Sequence, residues 1–480
     1  MPKAAPALLV ALMLAAVLPA CGEETANDDA AENGAAEDED KEQRPLVEID
    51  PDPFPSTYTP LPSEPTLIQN VTIFDGTGNQ IDNGAVLMVD GKIAGVGENL
   101  EAPDGATVID GAGKWVTPGI IDVHSHLGVY PSPMADSLSD GNEATSPVTA
   151  EVWIEHSIWP QDSGFNRAIA GGTTAMMILP GSANLVGGRT VTLKNVPSKT
   201  TQGMKFPGAP YGLKMACGEN PKRVYEKTGP ATRMANVAGY RKAWIDAANY
   251  KDSWEKYRKK HEEGEDPDPP KRDLELETLA GVLDGEILVH MHCYRADEMV
   301  TMLDVAEEFD YKIGTFHHAV ESYKIAHTLA ENDFCSAMWA DWWGFKLEAY
   351  DGIRENIPFV HAAGGCAIVH SDSDIGITIL NQEAAKALSD GNRAGLDISK
   401  AEAWTWLSAN PAKAMGIYDQ TGSLEEGKNA DVVMWDGDPF SSFTRAEKVY
   451  VDGALVFDLF DPARQSITDF ELGQAVRDER

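Results

Sequence analysis

Thr117 to Gly128 reads TPGIIDVHSHLG, an apolar run that closes on two histidines, His124 and His126, one residue apart. Alternate side chains of a strand share a face, so both imidazoles can approach one ion if the run is a strand ending at a site. An ordinary buried strand with two packed histidines reads the same way. The later runs decide between the two. ILVHMH carries His290 and His292, TFHH carries His317 and His318, and CAIVHSD carries His370 and Asp372, each at the end of an apolar run. With His124 and His126, seven of the eleven histidines therefore fall at four candidate strand ends. Imidazole and carboxylate are the ligands that suit zinc and related divalent ions.

Working outward, the strand-like runs at 174–180, 211–216, 286–292, 312–318, 334–339 and 366–372 alternate with helical patterns. That alternation predicts parallel βα units, and a closed eight-stranded barrel is their most economical form, with its site at the carboxyl ends of the strands. The flanks read differently. TLIQNVTIFD and GAVLMVDGKIAGVG before the barrel, and ADVVMWDGDP and KVYVDGALVFD after it, are rich in β-branched residues, with hairpin turns at Asp90-Gly91 and Asp452-Gly453. The expected fold is thus α/β: a (β/α)8 TIM-like barrel over 118–420, with a small β-sandwich composed of 66–117 and 421–460 and a tail over 461–480.

The start of the chain has other properties. Lys3 precedes an apolar run, Ala7 to Val17, that ends at Leu18-Pro19-Ala20-Cys21, the form of a lipoprotein signal over 1–20 with Cys21 as the lipidated residue. An exported protein of the periplasm or outer membrane is expected, held to a membrane only through that lipid. Between Gly22 and Asp50 stand twelve acidic residues against Lys41 and Arg44, so 21–65 is expected to be an extended acidic tether. A net charge of −37 argues against nucleic acid as a partner. Cys217, Cys293, Cys335 and Cys366 are widely spaced and do not read as a disulfide framework.

Together PGIIDVHSH (118–126), GGTTAMMILPGSANLVGG (171–188), the His290 and His318 strand ends, HSD (370–372), and SANPAKAMGI with GSLEEGKNADVVMWDGDP (408–439) resemble the amidohydrolase superfamily of metal-dependent hydrolases. The nearest resemblance is to its imidazolonepropionase-like members. The resemblance implies a cofactor of one or two divalent ions, zinc being expected. Its ligands would be His124, His126, His290, His318 and Asp372, with Asp372 also the catalytic proton shuttle. For the fourth strand it offers Lys214, as a carboxylated bridging lysine, or Glu219, which is preferred because it stands nearer the strand's end.

Within the doublets His318 is preferred to His317, which would pack behind the barrel, and His290 to His292, which would otherwise line the pocket. His370 would orient a ligand. Arg189, in a glycine-rich loop, and Trp342 are further pocket candidates. The implied activity is hydrolysis of an amide or other C–N bond in a small-molecule or peptide substrate, and self-association is left open. A catalytically silent tethered binding protein, a deaminase and a cyclic amidase are the alternatives. Cys293 and Arg295 stand where deaminases and imidazolonepropionases carry an acid three residues after the fifth-strand histidine, which disfavours those activities.

Overall fold

The computed structural model describes residues 43–132, 134 and 136–465. The signal over 1–20, the lipidation site Cys21, most of the acidic segment and the end of the tail lie outside the described residues. Among the described residues no helix is long and apolar enough to cross a membrane.

The flanking strands are β1 (Thr66–Phe74), β2 (Gln80–Val89), β3 (Lys92–Gly97), β4 (Thr107–Asp110) and β5 (Trp115–Pro118). The barrel contributes β6 (Ile120–Ser125), β7 (Thr173–Ile178), β8 (Val186–Lys194), β9 (Gly212–Ala216), β10 (Leu288–Cys293), β11 (Ile313–His318), β12 (Cys335–Met338) and β13 (Cys366–Val369). The chain then returns through β14 (Val432–Trp435), β15 (Ala446–Val451) and β16 (Ala454–Asp458).

Both flanks join one eight-stranded sheet in the order β16-β15-β14-β5-β1-β2-β3, with β4 beside β1, where a sandwich was expected. The seam is β5, parallel to β1 on one side and antiparallel to β14 on the other. Ile68, Ile73, Val86, Met88, Val116, Val432 and Met434 are buried in its core. Asp90-Gly91 and Asp452-Gly453 do make two-residue hairpin turns, with φ of 51° and 75° in the first and 46° and 71° in the second. The turns touch: a Cβ on Gly91 would lie 3.0 Å from the Asp452 carbonyl oxygen.

The second sheet runs in sequence order from β6 to β13. Its strands pair in parallel except β8, which is antiparallel to both β7 and β9. The architecture is therefore mixed α/β around an eight-stranded barrel sheet, with a hairpin where one βα unit was expected. The glycine-rich segment read as a ligand loop is the start of β8. Gly188, at φ 109°, has glycine because a Cβ there would sit 2.4 Å from the Val152 carbonyl oxygen.

Two sequence expectations need correction. Residues 46–58, assigned to the tether, lie against the folded unit, since Leu46 and Ile49 pack on Tyr250, Trp254 and Tyr257. Lys205 holds Asp52 at 2.7 Å and Thr57 N–H donates to the Gln202 carbonyl at 3.0 Å. Leu46 and Ile49 give this end of the segment apolar side chains to bury, which a reading from its acidic composition overlooks. The four cysteines also pair, Cys217 with Cys293 and Cys335 with Cys366. Cys335 and Cys366 are direct partners in the parallel ladder, with Cα atoms 4.5 Å apart, a register that spacing along the chain does not reveal.

Candidate metal centre

The strand ends assemble the site. On β6, Asp122 and His124 share the inward face, and His126 follows just past its end. Asp122 is fully buried and accepts from the backbone N–H groups of His124 (3.1 Å) and Ser371 (3.3 Å) and from the Ser371 hydroxyl. Asp372 N–H donates to the His124 carbonyl at 3.0 Å, so the end of β13 is laced to β6 and its carboxylate meets the histidine pair. Asp372 has φ 49°, and His318 and Ala319 have φ 67° and 41°. Left-handed backbone at non-glycine residues is costly and is retained where a site requires it. Here it breaks the strand's alternation, so both histidines of the doublet turn inward.

His124 Nε2, His126 Nε2 and Asp372 Oδ1 converge: the two nitrogens are 3.3 Å apart, and Asp372 Oδ1 lies 3.5 Å from His124 Nε2 and 3.2 Å from His126 Nε2. His126 Nδ1 donates to the Leu179 carbonyl at 2.8 Å, which in a neutral ring leaves Nε2 a bare lone pair. His124 Nδ1 lies 2.8 Å from His317 Nδ1, and His317 Nε2 lies 2.9 Å from His290 Nδ1. With His124 donating to His317 and His317 to His290, His124 Nε2 is bare as well. Three acceptors facing one another call for a cation between them.

A second group, with ligand atoms within 4.8 Å of one another, comprises His124, His318 and His370. Burial holds His124, His292, His317 and His318 well below the ordinary imidazole range, and takes His290 and His370 to about 3. Burial pulls Asp372 upward, but His126, His370 and Lys214 outweigh it and leave the carboxyl below its ordinary value. Neutral imidazoles and an ionised carboxylate are the forms a divalent metal takes as ligands, and the donor set fits one.

The remaining candidates divide. Lys214 is buried, its Nζ has no hydrogen-bond partner, and burial lowers it to about 8 beside these histidines. Glu219, the preferred fourth-strand ligand, is not in the cluster: it begins a short helix (Glu219–Val224) at the mouth, with Lys346 Nζ 3.8 Å from its carboxylate. His290 lies a layer deeper, bonded to His317, whereas His292 borders His318 with ring centroids 4.5 Å apart. His292 rather than His290 therefore stands next to the cluster, and His317 is inside the barrel rather than behind it.

His370 faces the cluster with both ring nitrogens unpartnered. Arg189 is elsewhere: it points outward from β8, donating to Thr278 Oγ1 at 2.9 Å and the Pro51 carbonyl at 3.1 Å, with Trp153 under its guanidinium. Trp342 does stand near the mouth, stacked on Trp339. Sequence reasoning missed Asp122, although its place two residues before His124 marks the same strand face. It also missed Trp339 and Tyr294, whose rings lie against His318.

A barrel sheet whose strands gather histidines, a lysine and an aspartate in this way has the donor set of a metal-binding barrel. Residues 354–462 match the model of the amidohydrolase family. The crystal structure of an amidohydrolase from Thermotoga maritima MSB8 is similar with a TM-score of 0.75 and 36% identity, covering 82% of this chain and 100% of that one. Amidohydrolase tasK of Hapsidospora irregularis is 30% identical over 431 residues, 82% of this chain. A 5-methylthioadenosine/S-adenosylhomocysteine deaminase of Halalkalibacterium halodurans is 35% identical over 107 residues, 21% of this chain. This chain spans 43% and 22% of the lengths of those two relatives. The chain belongs to the amidohydrolase family.

Proposed function

We propose that this protein is an exported metal-dependent amidohydrolase that cleaves an amide or other C–N bond in a peptide or N-acyl amino acid. The convergence of His124 Nε2, His126 Nε2 and Asp372 Oδ1 carries the reading. His124, His126 and Asp372 would hold one divalent ion, zinc being the expected one. Lys214, carboxylated as in the relatives the sequence resembles, with His318, His370 and His292, would complete a second position. A divalent ion supplies acidification of water and polarisation of a carbonyl. Asp372, a quarter exposed at the open edge of the cluster, accepts the proton of the attacking water and returns it to the departing nitrogen. His317 and His290 keep His124 in the tautomer that leaves Nε2 bare.

Deamination is disfavoured by the local chemistry. Cys293, three residues after His290, is tied into a disulfide, and Arg295, three after His292, pairs with Asp297 at 2.9 Å. Neither offers an acid. The two disulfides also support an oxidising, extracytoplasmic address, and Cys21→Ser should release the protein from membranes.

Metal analysis of the purified protein, with hydrolysis rates across dipeptides, N-acyl amino acids and cyclic amides, tests the activity. Asp372→Asn should lower turnover about 10²–10⁴-fold. Absence of divalent metal together with an unchanged Asp372→Asn rate would refute the reading.

A further inference from the structure

The segment after β12 supplies an unusual density of aromatic faces beside the cluster. Trp339 stacks on His318 at 4.3 Å with 25° between planes, and Trp342 stacks on Trp339 at 5.4 Å and 25°. Phe345 meets Trp339 edge-on at 5.8 Å, and Tyr294 lies on His318 at 5.1 Å. Exposure rises along this ladder, from 8% for Trp339 to 42% for Trp342 and 57% for Phe345. A row of flat rings thus runs from a cluster histidine to solvent. Trp339 Nε1 donates to the Ser371 carbonyl at 3.3 Å, which fixes the inner rung against the residue before Asp372.

Lys346, beside Tyr294, is already occupied. Lys346 lies over the Tyr294 ring at 3.9 Å, donates to Asn220 Oδ1 at 3.1 Å, and has Glu348 at 3.5 Å and Glu219 at 3.8 Å. A charged substrate group laid beside Tyr294 would meet a lysine that is already paired, whereas an aromatic group on the ladder gains both burial and ring stacking. Exposed aromatics continuous with a buried site are more economically explained as a subsite than as idle surface.

We propose that Trp339, Trp342 and Phe345 form the specificity subsite of this enzyme, taking an aromatic side chain or acyl group next to the scissile C–N bond. The inference rests on the hydrolase reading above and names its substrate class: peptides or N-acyl amino acids bearing a phenyl, phenol or indole group there.

The test uses the full metal-loaded chain with matched pairs, Gly-Phe against Gly-Ala, Phe-Gly against Ala-Gly, and N-acetylphenylalanine against N-acetylalanine. Calorimetric titration with phenylacetate and acetate adds a readout that needs no turnover. At least one aromatic member should be favoured about tenfold or more in kcat/KM, and phenylacetate should bind about tenfold or more tighter than acetate. Trp342→Ala and Phe345→Ala should each shrink those ratios, chiefly through KM, while Phe443→Ala, exposed 92% in the connection between β14 and β15 of the flanking sheet, leaves them as they are.

Equal treatment of the matched pairs, or ratios indifferent to Trp342 and Phe345, would overturn the subsite. Should no pair be hydrolysed while phenylacetate still binds tighter in a Trp342-dependent way, the subsite stands and the hydrolase reading falls. Trp342-dependent sedimentation with phosphatidylglycerol vesicles, or Trp342-dependent self-association, without ligand discrimination would make the patch a docking surface and overturn the proposal.

Discussion

Lys214→Met separates a ligand from a packed side chain. Lys214 is 1% exposed, its Nζ is unpartnered, and burial draws it from 10.5 to about 8. A fall of that size corresponds to about 3 kcal/mol of preference for the proton in the unfolded chain. Because the unfolded state binds the proton more tightly, the penalty stands in full below pH 8, shrinks as pH rises through that value, and vanishes near 10.5, where both states are neutral. Stability contributed at this position therefore rises with pH across that window.

Methionine has similar length and no charge to desolvate. In chelator at pH 7 the variant should resist urea better than the native chain by up to about 3 kcal/mol, an advantage that fades toward pH 10. With metal restored the order reverses: the variant holds less metal and gains less stability from it, since a ligand stabilises only the form that binds it. Paired urea titrations at the two pH values, with and without chelator, and metal stoichiometry by mass spectrometry measure all of this. A chelated variant that is less stable at pH 7 would refute the description of Lys214 as a buried, unpartnered amine. Unchanged metal stoichiometry and affinity would remove its role as a ligand.

Three further outcomes are expected. Denatured but unreduced protein should show no thiol from Cys217, Cys293, Cys335 or Cys366, and reduction should destabilise it by about 4 kcal/mol per bridge for loops of this length; four titratable thiols from these residues before reduction would refute the pairing. Asp122→Ala removes the acceptor that ties His124 to Ser371 and should weaken metal binding about 10–100-fold, measured by competition with a chromophoric chelator; unchanged affinity would mean that Asp372 is positioned without it. Glu219→Gln should leave metal content as it was, because its carboxylate lies with Lys346 at the mouth, and loss of an equivalent of metal would restore Glu219 as a ligand.

The strand ends were legible because each barrel strand that bears ligands is an apolar run stopped by histidine or aspartate, a pattern set by burial followed by chemistry. What escaped depends on registers between strands. Lys214 pairs with His290 across β9 and β10, so it belongs to the inner layer, yet distance along the chain makes Glu219 look better placed. The same blindness hid the disulfides, whose partners are 76 and 31 residues apart but neighbours across the sheet. Alternation itself failed at His317 and His318, because an extended strand sends successive side chains to opposite faces and the left-handed backbone at His318 cancels that rule. The cost of that backbone has a chemical return. Turning the second histidine inward puts His318 beside His124 and His370, while His317 remains hydrogen-bonded to His124 and His290 beneath them. One doublet thereby supplies both a candidate ligand and the group that sets another ligand's tautomer, which a regular strand could not do with adjacent residues.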